Sequence, residues 1–517
     1  MEAQQVLIRI RGGRIRELSP ADGGVTIETE AGIDTYPGAW VLPGFVDAHG
    51  HLVHYGLELG QPQLRHCTSL EECLELLRSW GPNRGEWLLG GGWNHERWNP
   101  PRFPEATLLD ALFPDIPVVL RRVDGHALWV NSEALRRAGI TAQTPDPPGG
   151  LILRRASGEP SGILIDAAAE LVLRHVPAPS PEELRRAILQ AVQRLLPLGI
   201  TEVHDMDVDP AWVPVFQELA ASGQLAIRVQ SYVRAQHREW YAAGLLPTTG
   251  EFFRLCGVKF YADGALGSYG AALLEPYADR PEQRGLLFFE TAQLEQLVSE
   301  ALEAGWQVAI HAIGDAANRQ VARVYHTVRV HGRAELEQRL RIEHAQLVHP
   351  DDLALMAEAG CIASVQPLHC VHDAPMARRR LGNRRESIPY PWRSLLQAGI
   401  PLAAGSDFPI ESPDVAAGLA AFRFRIPLGE EQPWGAEECL TAAESLAAYT
   451  TWAHYAADLD DRRGLLLPGY DADLVVLDRN PAHCSREELV ALRVRAVYIA
   501  GVRRWCAELS SKAEGVA

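Results

Sequence analysis

His49 and His51 stand two apart at the end of an apolar run that begins Val41-Leu42-Pro43-Gly44. On a strand, residues two apart share a face, so both imidazoles would present themselves to one divalent cation. Three more residues of metal-binding type end strand-like runs. His311 follows Gln307–Ile310, His344 follows Arg341–Glu343, and Asp407 follows Pro401–Ser406. Singly, each is more often a hydrogen-bonded residue at a strand end than a ligand. Jointly, five such side chains ending four strands form a pattern that chance matches poorly.

The lysine usage adds a sixth residue. Of 49 basic residues only Lys259 and Lys512 are lysine. Lys512 lies in a polar tail, whereas Lys259 sits inside the apolar stretch Gly257–Tyr261. A guanidinium keeps its proton, but a buried amine gives it up more readily. A neutral amine can add carbon dioxide and become a carbamate, whose two oxygens can bridge two cations.

These residues need a frame that brings strand ends together. Eight short apolar segments alternate with amphipathic helical ones. They are Val41–Asp47, Thr201–Asp205, Ala226–Tyr232, Val258–Ala262, Gln307–His311, Arg341–His344, Ile362–Gln366 and Leu402–Ser406. Helical stretches such as Glu182–Leu196 and Thr291–Ala304 lie between them. An open doubly wound sheet uses the same local pattern. The count of eight, and the polar residues at the C-terminal strand ends, favour an α/β fold of the (β/α)₈ barrel type.

The two ends of the chain are β-rich. Residues 1–40 and 465–517 are expected to form one small β-sandwich domain, with the barrel spanning 41–464. Residues 60–178, rich in Trp, Gly and Pro, are too long for a barrel loop. They are expected to form an inserted subdomain covering the mouth of the site. Within that insertion Trp93, Asp124 and His126 are candidate substrate contacts, as are Asp263 and Gln366 beyond strands four and seven. Trp93 also reads as a packing residue, the more common role for tryptophan.

Composition narrows the class. With 47% hydrophobic residues and a net charge of −17, the chain is globular and offers no basic footprint for nucleic acid or anionic lipid. No apolar run approaches the ~20 residues that span a membrane. The segment Met1–Gly12 lacks the features of a secretory signal. Eight scattered cysteines with no CxxC spacing make neither a disulfide scaffold nor a zinc finger. The expectation is a cytoplasmic protein acting on a small-molecule substrate, with no nucleic-acid or membrane partner. A homodimer is compatible with this reading.

At this point the sequence resembles the amidohydrolase superfamily, with His49-x-His51, Lys259, His311, His344 and Asp407 on strands one, four, five, six and eight. Longer strings resemble its amidohydrolase-3 branch, which includes N-substituted formamide deformylase-like proteins. They are Leu42–His49, Val258–Gly264, His311–Asp315, Ser364–Pro367 and Gly469–Leu474. The resemblance implies a metal-dependent hydrolase of carbon–nitrogen bonds other than peptide bonds, in an amide, formamide or cyclic amide. His49, His51 and Asp407 would hold one metal, and a carboxylated Lys259 would bridge to a second held by His311 and His344. Zinc is the default ion, in one or two copies, and Asp407 would be the general base. Two rivals remain. A mononuclear deaminase would carry a glutamate three residues after His311, where Gly314 stands. A non-catalytic protein of this fold would not need all six positions, and all six are present.

Overall fold

In the computed structural model, residues 3–123, 125, 127–147, 150–331, 338–382, 385 and 389–507 are described. Eight parallel strands form one sheet: β1 (Phe45–Gly50), β2 (Ile200–Val208), β3 (Arg228–Arg234), β4 (Phe253–Tyr261), β5 (Gln307–Ala312), β6 (Leu340–His344), β7 (Cys361–Val365) and β8 (Leu402–Ala404). Each pairs with the next in sequence order, and β1 lies beside β2. A parallel bridge between Gly50 and Phe408 joins the first strand to the end of the last. The sheet thereby closes into a TIM barrel with helices outside it.

The closing seam is tight. The Asp407 amide donates to the His49 carbonyl at 2.6 Å, and the His51 amide donates to the Phe408 carbonyl at 2.8 Å. A Cβ on Gly405 would lie 2.3 Å from the His49 nitrogen, so only glycine lets the two backbones meet.

The first predicted strand, Val41–Asp47, divides in the structure. Trp40–Pro43 joins a sheet of the small β domain, where it pairs antiparallel with Leu474–Leu477, and β1 begins at Phe45. The break falls at Gly44, whose amide donates to Asp473 O. The fourth strand starts earlier than predicted, at Phe253, because Phe253–Leu255 pair with Val229–Ser231 of β3.

The chain ends build two further sheets. One runs in the order Ala3–Gln4, Trp40–Pro43, Leu474–Leu477, Val494–Ile499, Val502–Cys506. The other runs Arg14–Pro20, Val6–Arg11, Gly24–Thr29, Gly32–Pro37. Both contribute to one apolar core containing Ile8, Ile27, Val41, Leu474 and Tyr498. The alternating burial of Val6–Arg11 is the period of two expected of a strand with one face inward.

Residues Val53–Ala191 form a second compact unit. It contains the segment 60–178 set apart by its composition, together with flanking helical residues. Its five-stranded sheet runs Gly150–Arg154, Pro160–Asp166, Ala127–Val130, Val118–Arg122, Leu88–Trp93. One apolar cluster contains Trp93, Trp98 and Trp129, and another contains Leu128, Val130 and Leu164. Among the described residues no helix is long and apolar enough to cross a membrane.

The seam yields a prediction. Gly405→Ala forces the last strand off the first and should destabilise the protein by about 1–3 kcal/mol, the usual cost of overpacking. A urea melt reads the change, and an unshifted midpoint would show that the seam tolerates a side chain.

Candidate metal centre

The C-terminal ends of β1, β5, β6 and β8 deliver the four histidines and the aspartate to one place. Ring centroids are 5.6 Å apart for His49 and His51, 5.0 Å for His49 and His344, and 4.5 Å for His311 and His344. The His51 Nε2 lies 3.0 Å from Asp407 Oδ1, and the His49 Nε2 lies 3.6 Å from the same oxygen. His49, His344 and Asp407 each offer a ligand atom within 4.8 Å of the others, and all three are buried. His344 and Asp407 adopt left-handed backbone, at φ +73° and +63°. Such strain persists in non-glycine residues only where surroundings enforce it, and it gathers at functional sites.

Three of the rings are fixed from behind. His49 Nδ1 is 2.6 Å from Glu343 Oε2, His51 Nδ1 is 2.9 Å from the Met206 carbonyl, and His344 Nδ1 is 2.7 Å from Gln366 Oε1. An acceptor at Nδ1 holds the proton there and turns a bare Nε2 toward the cluster, the arrangement that supports metal-bound histidines. His311 Nε2 is buried without a hydrogen-bond partner, 3.5 Å from Asp263 Oδ1. The Lys259 side chain, 1% exposed, has no hydrogen bond or ion pair among the described residues, and its Nζ lies 5.1 Å from the Tyr261 ring centroid.

Electrostatics suit a cation. Burial, helped by the Lys259 charge, lowers His49 to about 4 and His311 to about 3, so both rings are neutral donors at neutral pH. Burial also lowers Lys259. Burial opposes the charge on Asp407, but the His51 hydrogen bond and neighbouring imidazoles outweigh it and hold the carboxyl well below its ordinary range. His51 moves the other way: burial disfavours its charged form, and Asp407 overcomes that to raise it. Imidazole nitrogens and an ionised carboxylate, with an unpartnered buried Nε2 among them, fit a divalent cation.

Behind the cluster lies a side chain that sequence reading missed. Arg341, fully buried, donates to Glu343 Oε1 at 2.8 Å and thereby holds the carboxylate that orients His49. Its other nitrogens reach Ala48 O, Tyr232 Oη, Ser364 Oγ and His204 Nδ1. Two charged residues in the buried run Leu340–His344 were the available signal, since interior charges must be paired. His369 lies in the first turn of the helix Pro367–Leu381. Its buried Nε2 is unpartnered and 3.9 Å from Asp407 Oδ2, and its ring runs nearly parallel to His344.

The candidate substrate contacts fall elsewhere or take other duties. Trp93 is wholly buried in the second unit and donates its indole N–H to Leu120 O, so it packs. Asp263 accepts from the Ala272, Ile313 and Gly314 amides, pinning loops beyond β4 and β5. Gln366 aims His344. Asp124 and His126 lie outside the described residues.

The chain belongs to the amidohydrolase family, whose model matches residues 37–504. That family is one of metal-dependent hydrolases. Protein LONG AFTER FAR-RED 3 of Arabidopsis thaliana is 34% identical over 95% of this chain and 87% of its own. N-substituted formamide deformylase of Arthrobacter pascens is 28% identical over 97% and 95%. An uncharacterized metal-dependent hydrolase from Pyrococcus horikoshii OT3 superposes with a TM-score of 0.78 at 25% identity, covering 94% of this chain and 99% of that one.

Replacing Glu343 by Gln removes the charge behind His49 and should weaken divalent-cation binding about 10–100-fold, the scale of such supporting contacts. Competition against a chromogenic chelator measures it, with circular dichroism as the check on folding. Unchanged affinity would mean that Glu343 serves Arg341 and not the metal centre.

Proposed function

We propose that this protein hydrolyses a carbon–nitrogen bond other than a peptide bond, in a small amide, formamide or cyclic amide. The observation that carries the reading is the set of three histidines anchored through Nδ1, with Nε2 atoms gathered around Asp407. The similarity to a formamide deformylase over nearly the whole chain supports the bond type. His49, His51, His344 and Asp407 would hold one cation, with His311 and Lys259 available to a second. When bound, the cation supplies Lewis acidity toward a water and the scissile carbonyl.

The protein's own groups do the rest. Asp407, ionised and next to His51, accepts the proton of the attacking water and returns it to the departing nitrogen. Its Oδ2 lies 3.9 Å from His369 Nε2. The deaminase rival finds no support here. Its glutamate would stand at Gly314, where even a Cβ would come within 1.9 Å of Ala272 O.

Lys259 enters the reading as a carbamate. An ammonium beside two cations repels both, whereas a carbamate removes that charge and adds two oxygens. Among the described residues its Nζ has no hydrogen-bond or ion-pair partner and only the Tyr261 ring beside it, which agrees with a group whose partners are metals.

The purified protein should contain one or two equivalents of divalent cation, and a panel of amides, formamides and cyclic amides should include a substrate whose turnover a chelator abolishes. Hydrolysis that survives complete metal removal would sink the proposal. Asp407→Asn keeps size and shape and should cut kcat by about 10²-fold or more, as loss of a general base does. Lys259→Arg should lose one metal equivalent by elemental analysis and most activity, and metal loading of wild-type apo-protein should quicken with bicarbonate. If Lys259→Arg binds two equivalents and turns over normally, the lysine does not bridge.

A further inference from the structure

The second unit contains a cavity that the hydrolytic reading does not use. It has a volume of about 400 Å³, within the range of small-molecule sites. Its walls come from the end of the helix Leu52–Leu59, the turn at 79–84 and the helix Pro181–Leu195.

Arg84 lines this cavity and is only 8% exposed. A guanidinium taken out of water needs acceptors for its N–H groups. Arg84 makes no side-chain hydrogen bond among the described residues, and its buried Nε is unpartnered. Glu183 faces it, but at 3.9 Å from Nε. That carboxylate is already engaged: Oε2 accepts from Ser180 N and Oγ, and Oε1 accepts from Gly85 N.

The rest of the lining sorts the same way. Asn83 is committed to the backbone of Leu89 in both directions, donating at 2.8 Å and accepting at 3.0 Å. Arg186, exposed, and Gln190, half-buried, also line the cavity, and their side chains have no hydrogen-bond partner among the described residues. Trp80, half-buried, and Leu57 supply apolar wall. The unused charged capacity is therefore cationic, with two guanidinium charges against one engaged carboxylate. The chain's overall charge of −17 makes that local excess of positive charge a property of position, not of composition.

We propose that this cavity binds a small organic anion, its carboxylate or phosphate head on Arg84 and Arg186 and a flat apolar body against Trp80. Arginine is suited to such a head because its fork of N–H groups matches two oxygens at once. The Gln190 amide adds a neutral donor at the edge of the same oxyanion.

Isothermal titration of the full-length protein tests this with four probes: phenyl phosphate, benzoate, inorganic phosphate and the neutral benzamide. Oxyanions also bind divalent cations, so each titration is repeated after chelation to isolate binding independent of metal. Phenyl phosphate or benzoate should bind in both states, and the tighter of the two identifies the head group. Inorganic phosphate should be weaker than phenyl phosphate, because it lacks the ring. Benzamide, an amide that the metal centre could itself accept, should show no chelation-resistant binding. Arg84→Met should weaken the chelation-resistant binding by about tenfold or more, and Arg186→Met by several-fold, as loss of charge-assisted hydrogen bonds does. Should Arg84→Met fail to fold by circular dichroism, the exposed Arg186 position decides alone. The proposal is overturned by the absence of chelation-resistant binding, by folded arginine variants that bind like wild type, or by benzamide binding as well as benzoate after chelation. A protein that fails to hydrolyse any amide leaves this outcome untouched, since the readout is independent of the metal centre.

Discussion

The barrel is organised around one guanidinium. Arg341 rises from β6 into the interior and bonds to Ala48 of β1, His204 of β2, Tyr232 of β3 and Ser364 of β7, as well as to Glu343 on its own strand. A charge buried this deeply is tolerable only with its hydrogen bonds satisfied and a counter-charge at hand. Meeting that need requires strands from both sides of the barrel at fixed distances. The counter-charge, Glu343, then has one oxygen left for His49. The geometry of the metal centre is thus inherited from how an arginine is solvated by protein.

The opposite end of the axis repeats the principle. Glu202 on β2 is wholly buried and takes a hydrogen bond from Arg463 at 2.9 Å, and Arg463 in turn bonds Asp471. Arg228 of β3 grips Asp473 with two nitrogens, at 2.6 and 3.0 Å. Asp471 and Asp473 lie just before the strand Leu474–Leu477 of the small β domain, so charged pairs tie that domain to the barrel strands. An interior built of alternating charges has little tolerance for slippage, because a displaced partner leaves an uncompensated charge behind.

Much of this was legible in the sequence, for a physical reason. Candidate ligands at strand ends are local features: an apolar run, then a histidine or aspartate. His49, His51, His311, His344 and Asp407 could be read one strand at a time, and Lys259 stood out because the chain almost never uses lysine. The partners were not legible. Glu343 and His49 are 294 positions apart, and Arg341 and His204 are 137 apart, so no local pattern links them. Gln366 and Asp263 were noticed as polar residues near the mouth. Their side chains proved to be used by His344 and by loop amides, a distinction that only the pairing of strands reveals. The division of the first strand at Gly44 was hidden for a similar reason, since Val41-Leu42 and Phe45-Val46 are equally apolar but pair in different sheets.

The shared sheet of the small β domain has a consequence in time. Trp40–Pro43 hydrogen-bonds to Ala3–Gln4 on one edge and to Leu474–Leu477 on the other, so its second edge has no partner until the chain has been made past residue 474. On the ribosome, Val6–Pro43 must wait with an unpaired strand edge and exposed valine and isoleucine side chains while the barrel is synthesised. An unpaired apolar edge invites pairing with other chains. The segment Leu474–Cys506 thus acts as a closing clasp, and a nascent chain truncated before Leu474 leaves the early strands as an adhesive end.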